Sequence, residues 1–350
     1  MSDAVERVEL APGYSVCRVV NGLWQLSEGH GARAVERREA VRFLRRLIDA
    51  GLTTFDCADI YLGVEERLGE LVSDLGDPSA IQIHTKYVPD RSSLASLTRR
   101  NVRTAIEGSL RRLGVERLDL VQFHWWDWEQ PGLLDVAGWL AELVDVGAIR
   151  CLGTTNFDRG HLAELLDAGI PVVANQAQYS VLDRRVERGM AALARERGVG
   201  LQCYGVLAGG FLTERFVGVS DPEPPLENRS LAKYRLIIDD FGGWALFQEL
   251  LGALASVADT HGVAIPTVAA RWVLDRDAVA TVIVGARSAA HLDDTLDIFR
   301  IRLDGQDRAR IDGVLARSTG PRGEPFELER EPRGRHSSLM WTDLNRQRGQ

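Results

Sequence analysis

Cysteine is scarce in this sequence: four in 350 residues, Cys17, Cys57, Cys151 and Cys203, with no close pair of the kind that holds a metal ion. Each falls in or just after an expected strand, so reduced and mostly buried thiols are expected, in a cytoplasmic protein without disulfides. Long apolar runs are missing too, none approaching the roughly 20 residues that span a bilayer, and no membrane partner is expected. The opening MSDAVERVEL is acidic and polar and lacks a positively charged leader followed by an apolar segment, so export is not expected. An excess of positive charge is also absent. The formal net charge of -8 disfavours a broad nucleic-acid surface while leaving room for a small basic pocket around a phosphate-bearing cofactor. Finally, no Gly-x-Gly-x-x-Gly fingerprint lies between a first strand and a first helix. GVLAGG at 205–210 has no early βαβ unit around it, which argues against a two-domain dehydrogenase.

What is present is a soluble enzyme-like composition, 45% hydrophobic and 26% charged, and a regular alternation of short apolar runs with amphipathic segments. The first strand is expected at 14–20, YSVCRVV, followed by a helix over Glu36–Ala50 that Gly51 ends. The strand TTFD follows at once. Further pairs of helix and strand are expected at Glu65–Ser73 with Ile81–Thr85, Ala95–Leu113 with Leu118–His124, and Leu134–Val146 with AIRCLGTT at 148–155. Arg159–Asp167 with Val172–Asn175 and Arg184–Arg197 with Leu201–Tyr204 continue the series. A long loop from Gly205 to about Gly243 separates these from helices Ala245–His261 and Ile265–Asp275, a last strand Ala280–Val284 and a helix His291–Phe299. Eight strands joined by repeated right-handed β/α crossovers close most simply as a (β/α)8 TIM barrel, an α/β fold of about this size.

A further outer helix is expected at Gln306–Arg317, so residues 1–317 make one barrel unit and 318–350 an extension rich in charge, proline and glycine. That extension cannot supply a core. Two alternatives stand for it: partial disorder, or folding over the rim with Phe326, Leu339, Met340 and Trp341 as its apolar contacts.

The stretch GLTTFDCADIYLG, running on to HTKY at 84–87, sets Asp56 at one strand end, Tyr61 in the following loop and Lys86 at the next strand end. A phenol that gives up a proton near neutral pH needs a nearby cation, because its ordinary pKa is about 10. Lys86 supplies that charge, and Asp56 holds the lysine. This segment resembles the signature of the aldo-keto reductases, whose catalytic Asp, Tyr, Lys and His lie on a (β/α)8 barrel, and the resemblance extends over roughly residues 14–317. It implies Asp56, Tyr61, Lys86 and His124 as the catalytic four, with Tyr61 as proton donor to a carbonyl oxygen and His124 hydrogen-bonded to the same oxygen. It further implies that Asp56, Thr155, Asn156 and Gln176 approach the nicotinamide, that Tyr204 stacks on it, and that Gly205, Leu207 and Gly209 run along the pyrophosphate. Gly22, Leu23 and Trp24 match the segment near the nicotinamide ribose. Gly285 and Arg287 match the adenosine-phosphate site, where His291, Asp294 and Thr295 depart from the usual residues.

NADPH is therefore the expected cofactor, with NADH left more open than is usual in the family. The mouth is aromatic: Trp24, Tyr87, Trp125, Trp126 and Trp128 are the expected substrate contacts, suited to an aromatic, cyclic or sugar-like carbonyl. Lys233, Tyr234 and Arg235 are expected in the long loop, closing over the cofactor. The expected activity is reduction of a small-molecule aldehyde or ketone to an alcohol by a monomer or weak homo-oligomer. Two alternatives are reduction of an imine or unsaturated biosynthetic intermediate, and a nucleotide-sensing regulatory subunit resembling channel-associated barrels.

Overall fold

A computed structural model describes residues 5–27, 37–286 and 288–345. Eight parallel strands form a closed barrel: β3 (Val19–Gly22), β4 (Thr54–Asp56), β5 (Gln82–Tyr87), β6 (Leu118–Phe123), β7 (Ile149–Thr155), β8 (Val172–Gln178), β9 (Gly200–Tyr204) and β10 (Val279–Gly285). Each pairs with its successor, and β10 closes the ring on β3 with Val282 opposite Val19 and Gly285 opposite Gly22. Parallel strands need crossovers, and helices on the outside supply them.

The expected first strand is corrected by the structure. Residues 14–20 are divided: β2 (Tyr14–Cys17) turns back on β1 (Arg7–Ala11) as an antiparallel hairpin, and only Val19 onward enters the barrel. Arg18 marks the break. Its guanidinium donates to the Leu274 carbonyl at 2.7 Å and to Glu6 Oε2 at 3.2 Å, so the chain changes partners there although its apolar character is unbroken. The hairpin plugs the end of the barrel remote from the strand termini, packing Leu10, Tyr14 and Val16 on Leu120, Cys151 and Ala280. Above this plug Tyr14 and His84 meet at 3.0 Å, and His84 meets Gln202 at 3.1 Å, so the barrel axis is hydrogen-bonded as well as packed.

Helix α1 (Arg37–Asp49), α2 (Val64–Leu75), α3 (Arg99–Leu113), α4 (Leu133–Asp145), α5 (Arg159–Asp167) and α6 (Met190–Arg197) cover the first six crossovers. In α3 the start is fixed by a reciprocal Thr98–Asn101 capping box and the end by Gly114 at φ 65°. The Arg184–Arg197 helix is shorter than its sequence suggests. Gly189, at φ 118°, separates a single turn at Arg185–Glu187 from α6.

The 205–243 segment is not a bare loop. It contains α7 (Arg229–Phe241), capped by Asn228, whose buried Leu231, Tyr234, Ile237, Ile238 and Phe241 face the barrel. Helices α8 (Gly243–His261), α9 (Ile265–Leu274), α10 (Leu292–Arg300) and α11 (Gly305–Leu315) complete the outer layer. Among the described residues no single helix is long and apolar enough to cross a membrane.

Beyond α11 the chain becomes a strap across the strand-terminal rim, with one short helix, α12 (Glu327–Arg330). It is held at both sides. Asn345 donates to Asp90 and to the Val88 carbonyl, and Arg91 to the Thr342 carbonyl, while His336 meets Asp240 of α7 at 2.7 Å.

Candidate active site

The carboxyl ends of β4, β5 and β6 bring three polar side chains to one point. Lys86 Nζ donates to Asp56 Oδ2 and to the Cys57 carbonyl, both at 2.7 Å. Asp56 Oδ1 in turn accepts from Gln122 Nε2 at 3.0 Å and Gln176 Nε2 at 2.7 Å. A buried ion pair is secure only when its remaining lone pairs and protons are satisfied, and here the two barrel glutamines do that for the carboxylate. Burial alone would discharge Lys86; Asp56 and the Tyr61 phenol reverse this and hold its pKa above the ordinary lysine value.

Tyr61 stands in the loop after β4, its ring 4.8 Å from Trp24 and 5.1 Å from Lys86 Nζ. Sequence reasoning expects Lys86 to bring the phenol below its ordinary pKa. In the structure desolvation dominates and raises it, with Lys86 opposing and Asp56 adding to the rise. The phenol therefore holds its proton at neutral pH.

His124 follows β6 and lies edge-on to Trp126 and Phe326. Its Nδ1 is 3.1 Å from the Thr155 carbonyl, an acceptor only, so Nδ1 carries the proton. Burial, reinforced by Arg330, pushes the imidazole down to about 3, and it is neutral. Nε2 is then a lone pair, buried and without a partner among the described residues. Most buried polar atoms find a partner, so an orphaned one at a cavity wall is a place where a ligand can bind.

These groups share a cavity of about 330 Å³. Of the expected substrate contacts, Trp24 and Trp126 line it. Tyr87, Trp125 and Trp128 do not. Tyr87 stacks on Phe123 beneath the rim, Trp125 is fully buried against the same phenylalanine, and Trp128 is sandwiched by His161 at 3.9 Å and the Arg330 guanidinium at 4.1 Å. Consecutive residues leaving a strand point in different directions, and in the run WWDW only the second indole faces inward. The opposite wall comes from the strap: Phe326, Leu339, Met340, Trp341 and Leu344.

Gly22, Asp56, Thr155, Asn156, Gln176, Tyr204, Gly205, Leu207, Gly209 and Gly285 also line this cavity. Leu23 does not: its side chain is fully buried, and its backbone N–H donates to the Asp56 carbonyl. A second cavity of about 910 Å³ adjoins the first across Leu207, Gly209 and Gly285 and is lined further out by His291, Asp294 and Thr295. Arg287 lies outside the described residues. His291 Nδ1 and Asp294 Oδ2 are 3.2 Å apart, and Thr295 donates to the His291 carbonyl.

The residues present fit a nicotinamide nucleotide. Gln176 spends both amide hydrogens on Asp56 and Gln122 and keeps Oε1 as an acceptor, while Asn156 accepts from the Tyr204 hydroxyl at 2.8 Å and keeps Nδ2 as a donor. One free acceptor and one free donor match a carboxamide.

Several residues at the site carry no motif. Gln122 looks in sequence like any polar residue in an apolar strand. Lys233 and Arg229 both line the cavity from α7, whereas Arg235 points outward to Asp221 and Asp239. Glu329 of the strap is fully buried and bonded to Arg185, which is also bonded to Asp183. Acids and bases in such a polar segment give no sequence sign that they are buried.

A sequence model described as the aldo/keto reductase family matches residues 18–316. The aldo-keto reductase YhdN of Bacillus subtilis is 26% identical over 324 residues, covering 90% of this chain and 95% of the relative. The NADH-specific methylglyoxal reductase of Escherichia coli is 27% identical, covering 70% of this chain and 69% of its own. Among solved structures, the thermostable aldo-keto reductase Tm1743 superposes with a TM-score of 0.71 at 25% identity, covering 88% of this chain and 99% of that one. The glycerol dehydrogenase of Gluconobacter oxydans gives 0.75 at 24% identity, covering 92% and 98%, a likeness of fold.

Proposed function

The chain belongs to the aldo-keto reductase family, whose members use nicotinamide cofactors, and from that premise we propose that it reduces an aromatic or cyclic aldehyde or ketone to the alcohol. The observation that carries the reading is the convergence of a protonated Tyr61, a charged Lys86 and the unpartnered Nε2 of His124 on one cavity continuous with a nucleotide-sized trough.

A bound nicotinamide supplies the hydride. Thr155, Asn156 and Gln176 would hold its carboxamide and Tyr204 its ring face. Tyr61 donates its proton to the carbonyl oxygen as negative charge grows there, and Lys86, kept charged by Asp56, stabilises the tyrosinate left behind. His124 Nε2 has a lone pair to offer and no proton, so it accepts from the hydroxyl once that has formed and fixes the oxygen's position between phenol and imidazole. The reverse reaction uses tyrosinate as base. Trp24, Trp126, Phe326 and Trp341 offer flat apolar faces that favour an aromatic or cyclic body over a small polar one.

NADPH is the proposed preferred donor, with NADH accepted. His291 and Asp294 interact with each other, which leaves this part of the trough less attractive to a 2'-phosphate than a free cation would make it.

The test follows NADPH absorbance with a panel of aromatic aldehydes, for the natural protein and Tyr61→Phe, alongside cofactor titration by tryptophan quenching. Loss of the proton donor is expected to cost about 10²- to 10⁴-fold in kcat with cofactor affinity retained. Tight cofactor binding with no acceleration by any carbonyl compound would sink the proposal.

A further inference from the structure

The chain carries a net charge of -8, yet its active cavity is cationic. Asp56 is the single carboxylate among the described lining residues, and it is fully engaged by Lys86, Gln122 and Gln176. Against it stand Lys86, Arg229 and Lys233. Arg229 and Lys233 are four residues apart on α7, one turn, and so share a face.

Their surroundings leave charge to spare. Arg229 donates to the Leu339 carbonyl and lies 3.4 Å from the centre of the Trp341 ring, with no carboxylate in ion-pair contact among the described residues. Lys233 Nζ stands 3.8 Å from Glu329 Oε1, too far for a hydrogen bond, while the Glu329 carboxylate accepts from the Arg185 guanidinium at 3.1 and 3.3 Å. The ammonium is otherwise surrounded by the rings of Tyr204, Tyr234 and Phe326 at 5.1 to 5.7 Å. Two cations, Arg185 and Lys233, thus face two carboxylates, Asp183 and Glu329, and Arg229 is left over. Both α7 cations line the cavity that holds Tyr61 and His124, and neither lines the outer trough with His291 and Asp294.

Resting on the reductase reading above, we propose that the substrate is an anionic carbonyl compound, whose carboxylate or phosphate is bound by Arg229 and Lys233 while its carbonyl reaches Tyr61. The aromatic walls select an apolar body between the two ends. A guanidinium and an ammonium in a cavity with low-dielectric walls attract an anion more strongly than the same groups on an open surface. The same two cations offer the same chemistry to the cofactor's phosphates, and the experiment separates these sources.

The measurement compares 3- and 4-formylbenzoate with their methyl esters, under saturating NADPH. These pairs share an aromatic aldehyde and differ in charge. The expected result is a kcat/KM at least about tenfold higher for the charged member, about 1.4 kcal/mol, carried mainly by KM and shrinking between about 20 and about 300 mM salt. Lys233→Met and Arg229→Met should each bring the ratio toward one. Arg229→Lys, which keeps the charge, should preserve most of it. Esters turned over as well as the acids by the natural protein overturn the inference, as does a ratio that Arg229→Lys loses as fully as Arg229→Met. Weaker NADPH binding in Lys233→Met and Arg229→Met, with the acid-to-ester ratio intact, assigns the cations to the cofactor and also overturns it. If no member of the series and no other carbonyl compound is reduced, the reductase reading itself has failed.

Discussion

His124 and His84 are both buried without charge, and the reason is visible in their neighbours. His124 is held neutral by burial and the nearby Arg330, and His84 by burial on the barrel axis, where its pKa falls to about 4. Both folded values lie below the unfolded value of about 6.5, so the unfolded chain binds more protons throughout that interval. Stability is therefore complete above about pH 6.5 and is lost as pH falls toward 4 and then 3. Denaturant titrations at about pH 7 and about pH 4.5 should differ by on the order of 2 to 3 kcal/mol for each histidine, and a flat profile would contradict the neutral assignment. At this scale much of the site is legible in sequence, because Asp56, Lys86 and His124 each interrupt an apolar run at its end. Gln122 is not legible. It points into the barrel two residues before His124, and its value lies wholly in meeting Asp56 and Gln176 across the ring.

Helix α2 shows how one contact fixes the packing of an element. A β-carbon on Gly69 would stand 2.3 Å from the Arg112 carbonyl oxygen at the end of α3. Glycine inside a helix costs about 1 kcal/mol relative to alanine, so propensity alone favours replacement. The close approach reverses the sign: Gly69→Ala should destabilise the protein by about 1 to 3 kcal/mol, measured as a lower denaturant midpoint with an unchanged slope. A stabilised variant would mean that α2 and α3 are free to move apart. Sequence periodicity finds such helices readily and their joins poorly. It merges two strands across Arg18 because hairpin and barrel segments are both apolar. It also leaves α7 inside a loop, where Arg229, Lys233 and Arg235 break the apolar pattern although two of them face a cavity.

For the molecule as a whole the strap matters most. Glu329 joins it to Arg185 behind the cavity wall. Burial would raise the Glu329 pKa, but Arg185 and Lys233 bring it down to about 2. Its folded value is depressed, so its contribution is present above about pH 4.5 and is lost as pH falls toward 2. Glu329→Ala leaves Arg185 buried with one carboxylate in place of two and should cost about 3 to 5 kcal/mol. Limited proteolysis is expected to cut first within 318–345, and KM for aromatic carbonyls should rise. An unchanged cleavage pattern would show that the strap is held by its other contacts. Composition leaves this segment between disorder and a fold over the rim, because the partners that hold it lie 96 to 255 residues earlier in the chain.

The seam of the barrel, where Val19–Gly22 lies beside Val279–Gly285, joins positions some 260 residues apart. Until that join is made, every shorter portion of the ring has two raw edges, each a row of N–H and C=O groups ready to pair with another chain. Closure over so long a loop is slow compared with forming any one β/α unit. The protein is thus most exposed to self-association late in its synthesis, when seven strands have been laid down and the eighth has not yet arrived.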